Sequence, residues 1–169
     1  MIDDIFSKPP SAYKLSDFRL TRMVLSPKHW QACKLPVKLA WHRVKFAYGN
    51  AVHVPENERG VYTFVVKPGI ASHPSCSYLL YVGKVENQMF RSRFRQYLAE
   101  KAKGAKSRRP HVTEMLLKWD GFLWFYYAAI SKKNKIKTVE NRLLAAYLPP
   151  SNRVFPSTVR HAVATLLAH

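Results

Sequence analysis

Two tyrosines stand next to glycines in two short apolar runs of the chain. Gly-Val-Tyr at residues 60–62 opens the first run, and Tyr-Val-Gly at residues 81–83 closes the second. Both runs are rich in aromatic and β-branched residues, which is typical of strands, and turn-forming residues fill the stretch 67–77 between them. The pattern predicts an antiparallel hairpin that brings Tyr62 and Tyr81 near the same end of a sheet. A phenol hydroxyl assists proton transfer only beside cationic groups, so the neighbouring charges decide what this pair can do.

Basic residues dominate the charge of the chain. There are 28 Lys and Arg against 10 Asp and Glu, which gives a formal net charge of +18. Such an excess favours a polyanionic partner, and nucleic acid is the first candidate because neutralised phosphates release counterions. A membrane surface is the competing polyanion, but no apolar stretch approaches the roughly 20 residues that span a bilayer. With 47% hydrophobic residues, the 169-residue chain is expected to be a folded globular protein rather than a basic tail.

The scarcity of carboxylates narrows the metal chemistry. A two-metal site built from several carboxylates is hard to assemble from 10 acidic residues. One carboxylate can still hold one divalent cation, which polarises a phosphate and neutralises developing charge. Glu140 is the acid that stands in a motif, because Asn-Arg-Leu-Leu follows at residues 141–144, with Pro149 and Asn152 beyond. Phosphodiester hydrolysis by an activated water is the reaction that such a site could serve.

Taken in order, these motifs resemble the GIY-YIG nuclease family. After the Tyr-Val-Gly motif come Lys84, an arginine-rich segment at residues 91–98, and the Glu140 motif that ends at Asn152. The resemblance covers residues 59–156 and rests on five separated motifs. It implies an α+β fold, a small three-stranded antiparallel sheet flanked by helices. It also implies a DNA endonuclease that uses a single divalent cation, Mg²⁺ or Mn²⁺.

The resemblance also implies roles for individual residues. Tyr62 would position or deprotonate the attacking water, and Tyr81 would hydrogen-bond the water or the phosphate. Glu140 would bind the metal, and Asn152 would brace the site by hydrogen bonds. Tyr97 stands where many relatives have His. The complete candidate site is Tyr62, Tyr81, Lys84, Arg93, Tyr97, Glu140 and Asn152.

Two arginines compete for the position that stabilises charge on the phosphate. The family places this arginine on a helix, with His or Tyr four residues later on the same face. Arg93 satisfies the relation through Tyr97, provided that two residues are inserted after Gly83. Arg91 lies nearer the usual offset from Gly83, but Arg95 is its partner four residues later. Arg93 is the preferred candidate, and Arg91 stays open.

Periodicity and capping signals place the other elements. Thr138 is a reasonable N-cap, which would put Glu140 in the first turn of its helix. Residues 131–137 read as an exposed basic connection before it. The hairpin loop at residues 69–77 is interpreted as an insertion. The remaining elements are expected as helices at residues 86–102 and 111–119, a central strand at 121–130, and a final helix capped by Ser157.

The chain is predicted to divide at residue 58. Residues 1–58 are expected to form a helical extension packed on the core, with a short helix at residues 16–25 and another that Ser26 and Pro27 begin. Residues 59–169 form the nuclease-like domain. Acidic residues near the start argue against an export signal, and the two cysteines lack metal-ligand spacing, so a reducing cytoplasm is expected.

Basic side chains around the site are expected to contact phosphates. DNA is the expected partner because of the resemblance, RNA is not excluded, and no membrane partner is expected. Since one site cuts one strand at a time, double-strand cleavage would imply a homo-oligomer. The predicted contact residues are Arg91, Arg95, Lys101, Lys103, Lys106, Arg108 and Arg109.

Two other functions compete with the nuclease. The first is a non-catalytic nucleic-acid-binding module that keeps the GIY-YIG fold and its charge. The second is an interaction protein whose basic face docks an acidic partner, which explains the charge but not the motifs.

Overall fold

A four-stranded antiparallel sheet with helices on both faces forms the molecule. The computed structural model describes residues 18–69 and 76–167. The strands are β1 (His42–Lys45), β2 (Gly60–Val66), β3 (Tyr78–Val85) and β4 (Leu123–Ala129), in the spatial order β1-β4-β2-β3. The helices are α1 (Pro27–Ala32), α2 (Phe90–Lys103), α3 (Pro110–Lys118), α4 (Lys133–Tyr147) and α5 (Ser157–Leu167), and two short 3-10 turns cover Asn50–His53 and Gly104–Lys106.

The hairpin of β2 and β3 has the register that the two tyrosine motifs require. Tyr62 pairs with Gly83, and Phe64 pairs with Tyr81, so the two tyrosine rings extend from the same face of the sheet. Gly83 is needed because a Cβ there would lie 2.4 Å from the Tyr62 hydroxyl. Gly60 is needed for a different reason, since a Cβ there would lie 2.2 Å from the carbonyl oxygen of Ala128 on β4. The glycine beside each tyrosine thus permits a close approach.

The prediction of three strands is wrong, because a fourth strand comes from the N-terminal segment. β1 pairs with β4 from His42–Tyr127 to Lys45–Trp124. Its four residues are too few for an alternation of polar and apolar side chains to predict a strand, and its partner strand lies about 80 positions away in the chain. Within the described residues 18–58, the predicted helical extension has one α-helix, α1, which begins after Ser26 as expected, and one 3-10 turn at Asn50–His53, while residues 18–25 contain no helix. Residues 1–15 and the first two residues of the predicted helix at 16–25 lie outside the described residues, and the division at residue 58 stays a prediction.

The central position of β4 is confirmed, since it lies between β1 and β2. Side chains of the inner strands alternate between two cores. Tyr62, Phe64 and Phe125 face α2 and α3 in the larger core, whereas Val61 and Ala128 face α4 and α5 in the smaller one. None of the helices in the described ranges has the length and apolar character needed to cross a membrane.

The position of Glu140 within its helix differs from the prediction. α4 begins at Lys133 with Lys132 as N-cap, so Glu140 lies in the middle of the helix rather than in the first turn. The stretch read as an exposed basic connection therefore forms the first turns of α4. Its Ile136 is fully buried and continues, through Val139 and Leu143, the three- and four-residue apolar spacing of α4. Most of the predicted hairpin insertion, residues 70–75, lies outside the described residues.

Candidate active site

Three tyrosines from three elements meet on the α2 side of the hairpin. Tyr62 extends from β2, Tyr81 from β3 and Tyr97 from α2, and we call them the tyrosine cluster. The hydroxyls of Tyr62 and Tyr97 are 2.7 Å apart and share a hydrogen bond. The ring centroids of Tyr81 and Tyr97 are 6.3 Å apart, at a steep interplanar angle. Tyr62 is 2% exposed and Tyr97 is 0% exposed, so Tyr81 is the member that reaches solvent.

Burial sets the protonation of the cluster. It raises the pKa of Tyr62 well above the ordinary value, and the adjacent Tyr97 and Tyr81 raise it further, while Arg93 partly opposes them. Burial also raises the pKa of Tyr81, with Tyr97 adding to the rise and the Arg109 guanidinium acting against it. Both phenols therefore carry their protons at neutral pH. A cation next to Tyr81 is the feature that makes its deprotonation easier.

Lys84 connects the end of β3 to the middle of α4. Its Nζ lies 3.3 Å from Oε2 of Glu140 and 3.4 Å from Oε2 of Glu86. Burial raises the pKa of Glu140, and Lys84 counteracts this by attracting the ionised form. The side chain of Glu140 is 16% exposed, so the carboxylate is held near the surface by a single ammonium group.

The two arginines that competed for the site on α2 have different surroundings. Arg91 donates from Nε to the Val54 carbonyl at 2.7 Å and from Nη2 to the Val52 carbonyl at 3.1 Å, and it pairs with Glu56. Its guanidinium thus connects α2 to the segment at residues 52–56, which precedes β2. Arg93 faces the end of β3 instead.

Arg93 lines a cavity of about 410 Å³ together with Lys84 and Glu86. When the amide of Gln88 is oriented with its oxygen towards Arg93, it accepts a hydrogen bond from Nε at 2.8 Å. Arg93 also lowers the pKa of Tyr62. Of the two arginines, Arg93 is therefore the one associated with the tyrosines and Lys84.

The side-chain amide of Asn152 takes the place of a neighbouring strand at the outer edge of β3. Its Nδ2 donates to the carbonyl of Val82 at 2.8 Å, and its Oδ1 accepts from the amide of Val82 at 2.9 Å. The backbone amide of Ser151 donates to the carbonyl of Leu80 at 2.9 Å. The segment after α4 therefore covers the outer edge of β3 with hydrogen bonds.

Arg109 was predicted as a phosphate contact in the basic run beside the site, and it lies in the site itself, against two of the tyrosines. Its Nη2 donates to the Tyr81 hydroxyl at 3.4 Å, and its guanidinium carbon lies 5.3 Å from the centre of the Tyr97 ring. The one available signal was Pro110, which marks Arg109 as the N-cap of α3. That signal says where a helix begins, and it does not say what the cap residue faces.

The other predicted phosphate contacts divide into paired and open side chains. Lys101 donates to Asp120 at 2.6 Å and lies against the Tyr48 ring, and Lys103 donates to Glu100 at 3.1 Å. The remaining members of the predicted set are exposed, and they are Arg95, Lys106 and Arg108.

A groove of about 640 Å³ runs along the outer edge of β3, and we call it the β3 groove. Tyr81, Lys84, Glu140 and Asn152 line it, and Arg109 stands at its wall. Three further cations and a histidine that no sequence motif indicated also line it, and these are Lys137, Arg153, Arg160 and His111. Their spacing carries no signal, because they come from α3, α4, α5 and the segment between α4 and α5, which only the fold brings together.

The β3 groove offers a metal ion one carboxylate. Within residues 18–69 and 76–167, no group of three or more His, Cys, Asp or Glu side chains could hold a metal. Mg²⁺ commonly keeps several waters and takes one or two carboxylates together with substrate phosphates. Glu140, half-buried and opening onto a cationic groove, fits that mode of binding and not a site built from protein ligands alone.

Comparison of the chain with protein-family models, with curated proteins and with solved structures returned no match. The resemblance to GIY-YIG nucleases therefore depends on the residues themselves, on their order in the chain and on the place where the fold gathers them. That place is the outer edge of β3, where Tyr81, Lys84 and Glu140 meet a cationic groove.

Proposed function

We propose that this chain is a GIY-YIG-type endonuclease that hydrolyses DNA phosphodiester bonds with one divalent cation, Mg²⁺ or Mn²⁺. The proposal rests on one observation. Tyr81, Lys84 and Glu140 come from a strand, the end of that strand and a distant helix, yet they line a single groove together with Arg109, Lys137, Arg153 and Arg160. A surface that served only to attract phosphates would gain nothing from a carboxylate among its cations, because the carboxylate repels phosphate.

The charge of the groove supports a phosphodiester substrate. Lys84, Arg109, Lys137, Arg153 and Arg160 line it, and Glu140 is the acid among its lining residues. A polyanionic backbone would replace the water around these cations and release counterions. DNA rather than RNA follows from the family resemblance alone.

Glu140 is the residue that would hold the metal ion. The cation, when bound, supplies a counter-charge for the phosphate and polarises it. The cation would compete with Lys84, which contacts Oε2 of Glu140, and a displaced ammonium group would keep Glu86 as a partner and turn to a phosphate oxygen or to Tyr81. The competition between Lys84 and a cation for one carboxylate is therefore built into the proposed site.

The tyrosines take different parts in the proposed reaction. Tyr81 faces the groove and can hydrogen-bond the attacking water or the phosphate. Tyr62 is buried and contacts both Tyr97 and Tyr81 without lining the groove, so its part is to orient these two side chains. Asn152 holds the backbone of β3 at the position between Tyr81 and Gly83. Arg93 would stabilise charge from the far side of Lys84.

Cleavage of supercoiled plasmid with Mg²⁺ and with EDTA tests the proposal. Glu140→Gln removes the proposed metal ligand and keeps the shape of the side chain. Glu114→Gln is the matched control, because Glu114 is exposed on α3 and loses the same charge. We expect nicking or linearisation that needs the metal, persists in the control and falls at least about a hundredfold in Glu140→Gln. Equal cleavage by the two variants would sink the proposal.

The non-catalytic binding module is the second candidate, and one observation favours it. The Tyr62 hydroxyl is buried against Tyr97, and Lys84 already neutralises Glu140. The candidate catalytic groups therefore have protein partners, as is typical of a surface that binds without catalysis. That function predicts salt-sensitive DNA binding without cleavage in Mg²⁺ or Mn²⁺. It also predicts that Glu140→Gln binds DNA more tightly than the wild type, because a carboxylate facing the phosphates has been removed.

A further inference from the structure

Arg109 occupies a position between the tyrosine cluster and the β3 groove. Its guanidinium lies against the face of Tyr97 at 5.3 Å and donates to the Tyr81 hydroxyl at 3.4 Å. Tyr81 and Arg109 both line the groove that contains Glu140. The arginine is therefore the cation in direct contact with the one tyrosine of the cluster that reaches solvent.

Local structure holds Arg109 in place independently of any ligand. Pro110 at the first position of α3 keeps the preceding residue out of the helical conformation, and Arg109 has φ −125° and ψ 64°. The backbone amide of Arg109 donates to Oγ of Ser107 at 3.0 Å, and that hydroxyl donates in turn to Glu100 on α2. Stacking on Tyr97 then restrains the side chain. The result is a preorganised guanidinium, which loses little freedom when it binds an anion.

The guanidinium keeps most of its donors available. A guanidinium has five N–H donors, and the contacts found for Arg109 in the described part of the chain are with Tyr81 and Tyr97. No carboxylate among the described residues lies within ion-pair distance of it. Glu100, whose pKa is lowered by hydrogen bonds from Ser107 and Lys103 and further by the charge of this guanidinium, is paired with those two residues. Half-buried cations of this kind are normally paired, so an anionic ligand is the partner that the arrangement lacks.

The arginines of α2 do not offer the same combination. Arg91 already donates hydrogen bonds to two carbonyls and pairs with Glu56. Arg93 lies in a separate cavity with Gln88, Glu86 and Lys84. Arg109 lines the same groove as Tyr81 and Glu140. Arg153 and Arg160 line it too, but Arg109 is the one whose hydrogen bond to the Tyr81 hydroxyl is found in the described part of the chain.

We infer that Arg109 binds a backbone phosphate of the nucleic acid against the Tyr81 hydroxyl, and that it is the principal phosphate-binding arginine of the β3 groove. This inference rests on the proposed function, since it takes the groove as the path of the nucleic acid. The planar fork of the guanidinium matches two oxygens of one phosphate. The phosphate held in this way lies beside Tyr81 and on the same groove as Glu140.

Arg108 provides a matched control for testing the inference. It is the neighbouring residue, it is exposed, and its replacement removes the same charge. Arg108→Gln and Arg109→Gln are each made in the Glu140→Gln protein, so that binding of a DNA oligonucleotide is measured without cleavage. We expect Arg109→Gln to weaken binding about tenfold or more, since a charge-assisted hydrogen bond pair is lost, and Arg108→Gln to weaken it about two- to threefold.

Neutralising one phosphate at a time makes the assignment specific. A series of oligonucleotides carries a single methylphosphonate at successive positions. We expect one position at which the methylphosphonate weakens binding by the Glu140→Gln protein and by its Arg108→Gln derivative. The Arg109→Gln derivative should not be affected at that position, because it has already lost the arginine that pairs with that phosphate. Thermal melting of each variant checks the fold, and Arg109→Lys, which keeps the charge, should recover binding only in part.

The outcomes separate this inference from the proposed function. If Arg109→Gln matches Arg108→Gln, or no methylphosphonate position is coupled to Arg109, the inference is overturned while metal-dependent cleavage that needs Glu140 still supports the nuclease. If the coupling is found but the wild-type chain, with Glu140 intact, never cleaves DNA, the phosphate site is supported and the proposed nuclease activity is contradicted. Absence of DNA binding by every variant would overturn both.

Discussion

The tyrosine cluster and the β3 groove share Tyr81 and are physically opposite in character. Inside the cluster, Tyr62 and Tyr97 are removed from water, packed among aromatic rings and satisfied by one hydrogen bond between their hydroxyls. In the groove, Lys84 and Glu140 are partly exposed and lie 3.3 Å apart, and Lys84 also pairs with Glu86 at 3.4 Å. The comparison shows that residues of one sequence motif divide into two kinds. The buried residues, Tyr62 and Tyr97, stabilise the fold. Lys84 and Glu140, at the edge of the sheet, are exposed enough to exchange their ion-pair partners for a ligand.

The position of Tyr81 explains how the two regions are connected. β3 is an edge strand, so the side chains near its outer edge contact the larger core on one side and the groove on the other. Tyr81 packs near Tyr62 and Phe64 while its hydroxyl meets Arg109. A change on the buried side should therefore reach the groove through Tyr81, and a change in the groove should leave the buried side intact.

The largest effect on stability is expected where the hairpin allows no extra atom. Gly83→Ala places a Cβ within 2.4 Å of the Tyr62 hydroxyl and 2.5 Å of the ring carbon that carries it. The ring is packed against Phe125 and Tyr97 and cannot move freely, so we expect the free energy of unfolding to fall by about 1–3 kcal/mol. Urea unfolding measures it.

A second substitution sharpens this prediction. Tyr62→Leu shortens the side chain that the new methyl group meets. In Gly83→Ala/Tyr62→Leu, the loss should be smaller than the sum of the two single losses. Simple addition would mean that the glycine is needed for the backbone and not for the ring.

The next effect separates the two tyrosines of the hairpin motifs. Tyr62→Phe leaves the buried hydroxyl of Tyr97 without its partner at 2.7 Å, so we expect a loss of about 1–2 kcal/mol in the free energy of unfolding. Tyr81→Phe removes a hydroxyl whose contact with Arg109 is long and partly exposed, so its stability should change by less than about 0.5 kcal/mol. Cleavage should respond in the opposite order and fall further in Tyr81→Phe.

Parallel unfolding curves and plasmid assays on the two variants test the division between structure and chemistry. Equal stability losses would show that Tyr81 is as much a core residue as Tyr62. A greater loss of cleavage in Tyr62→Phe, with its fold intact, would move the water-activating role back to Tyr62.

The smallest effect concerns the pH dependence of Glu140. Burial raises its pKa above the ordinary value of 4.5, so the folded chain binds this proton more tightly than the unfolded chain does. The stability linked to this proton is therefore fully present at low pH and is lost as pH rises from 4.5 through the folded pKa. In Glu140→Gln that loss is absent, so the stability of the variant relative to the wild type should improve as the pH rises through this window.

Unfolding midpoints measured between about pH 4 and pH 7 check the direction. Glu114→Gln serves again as the control for removing one exposed carboxylate. A relative stability that changes in the opposite direction would mean that attraction by Lys84 outweighs the burial of Glu140.

Much of the local structure could be predicted from the sequence, because strand alternation and helical spacing depend on near neighbours. The hairpin of Tyr62 and Tyr81, the central strand β4 and the apolar face of α2, with Phe90, Phe94 and Tyr97, all followed from such patterns. The start of α4 was missed because a run of lysines resembled a loop. Ile136, which continues the apolar spacing of Val139, would have revealed it.

Side-chain type and short-range periodicity were enough to find the reactive residues and the segments that carry them, because both depend on near neighbours in the chain. Which of these residues meet depends on the tertiary structure. It added β1 to the sheet through a partner about 80 positions away, gave Arg91 a structural role, and brought Arg109 to Tyr81. Such meetings depend on packing between elements that are distant in sequence, and no local pattern records that packing.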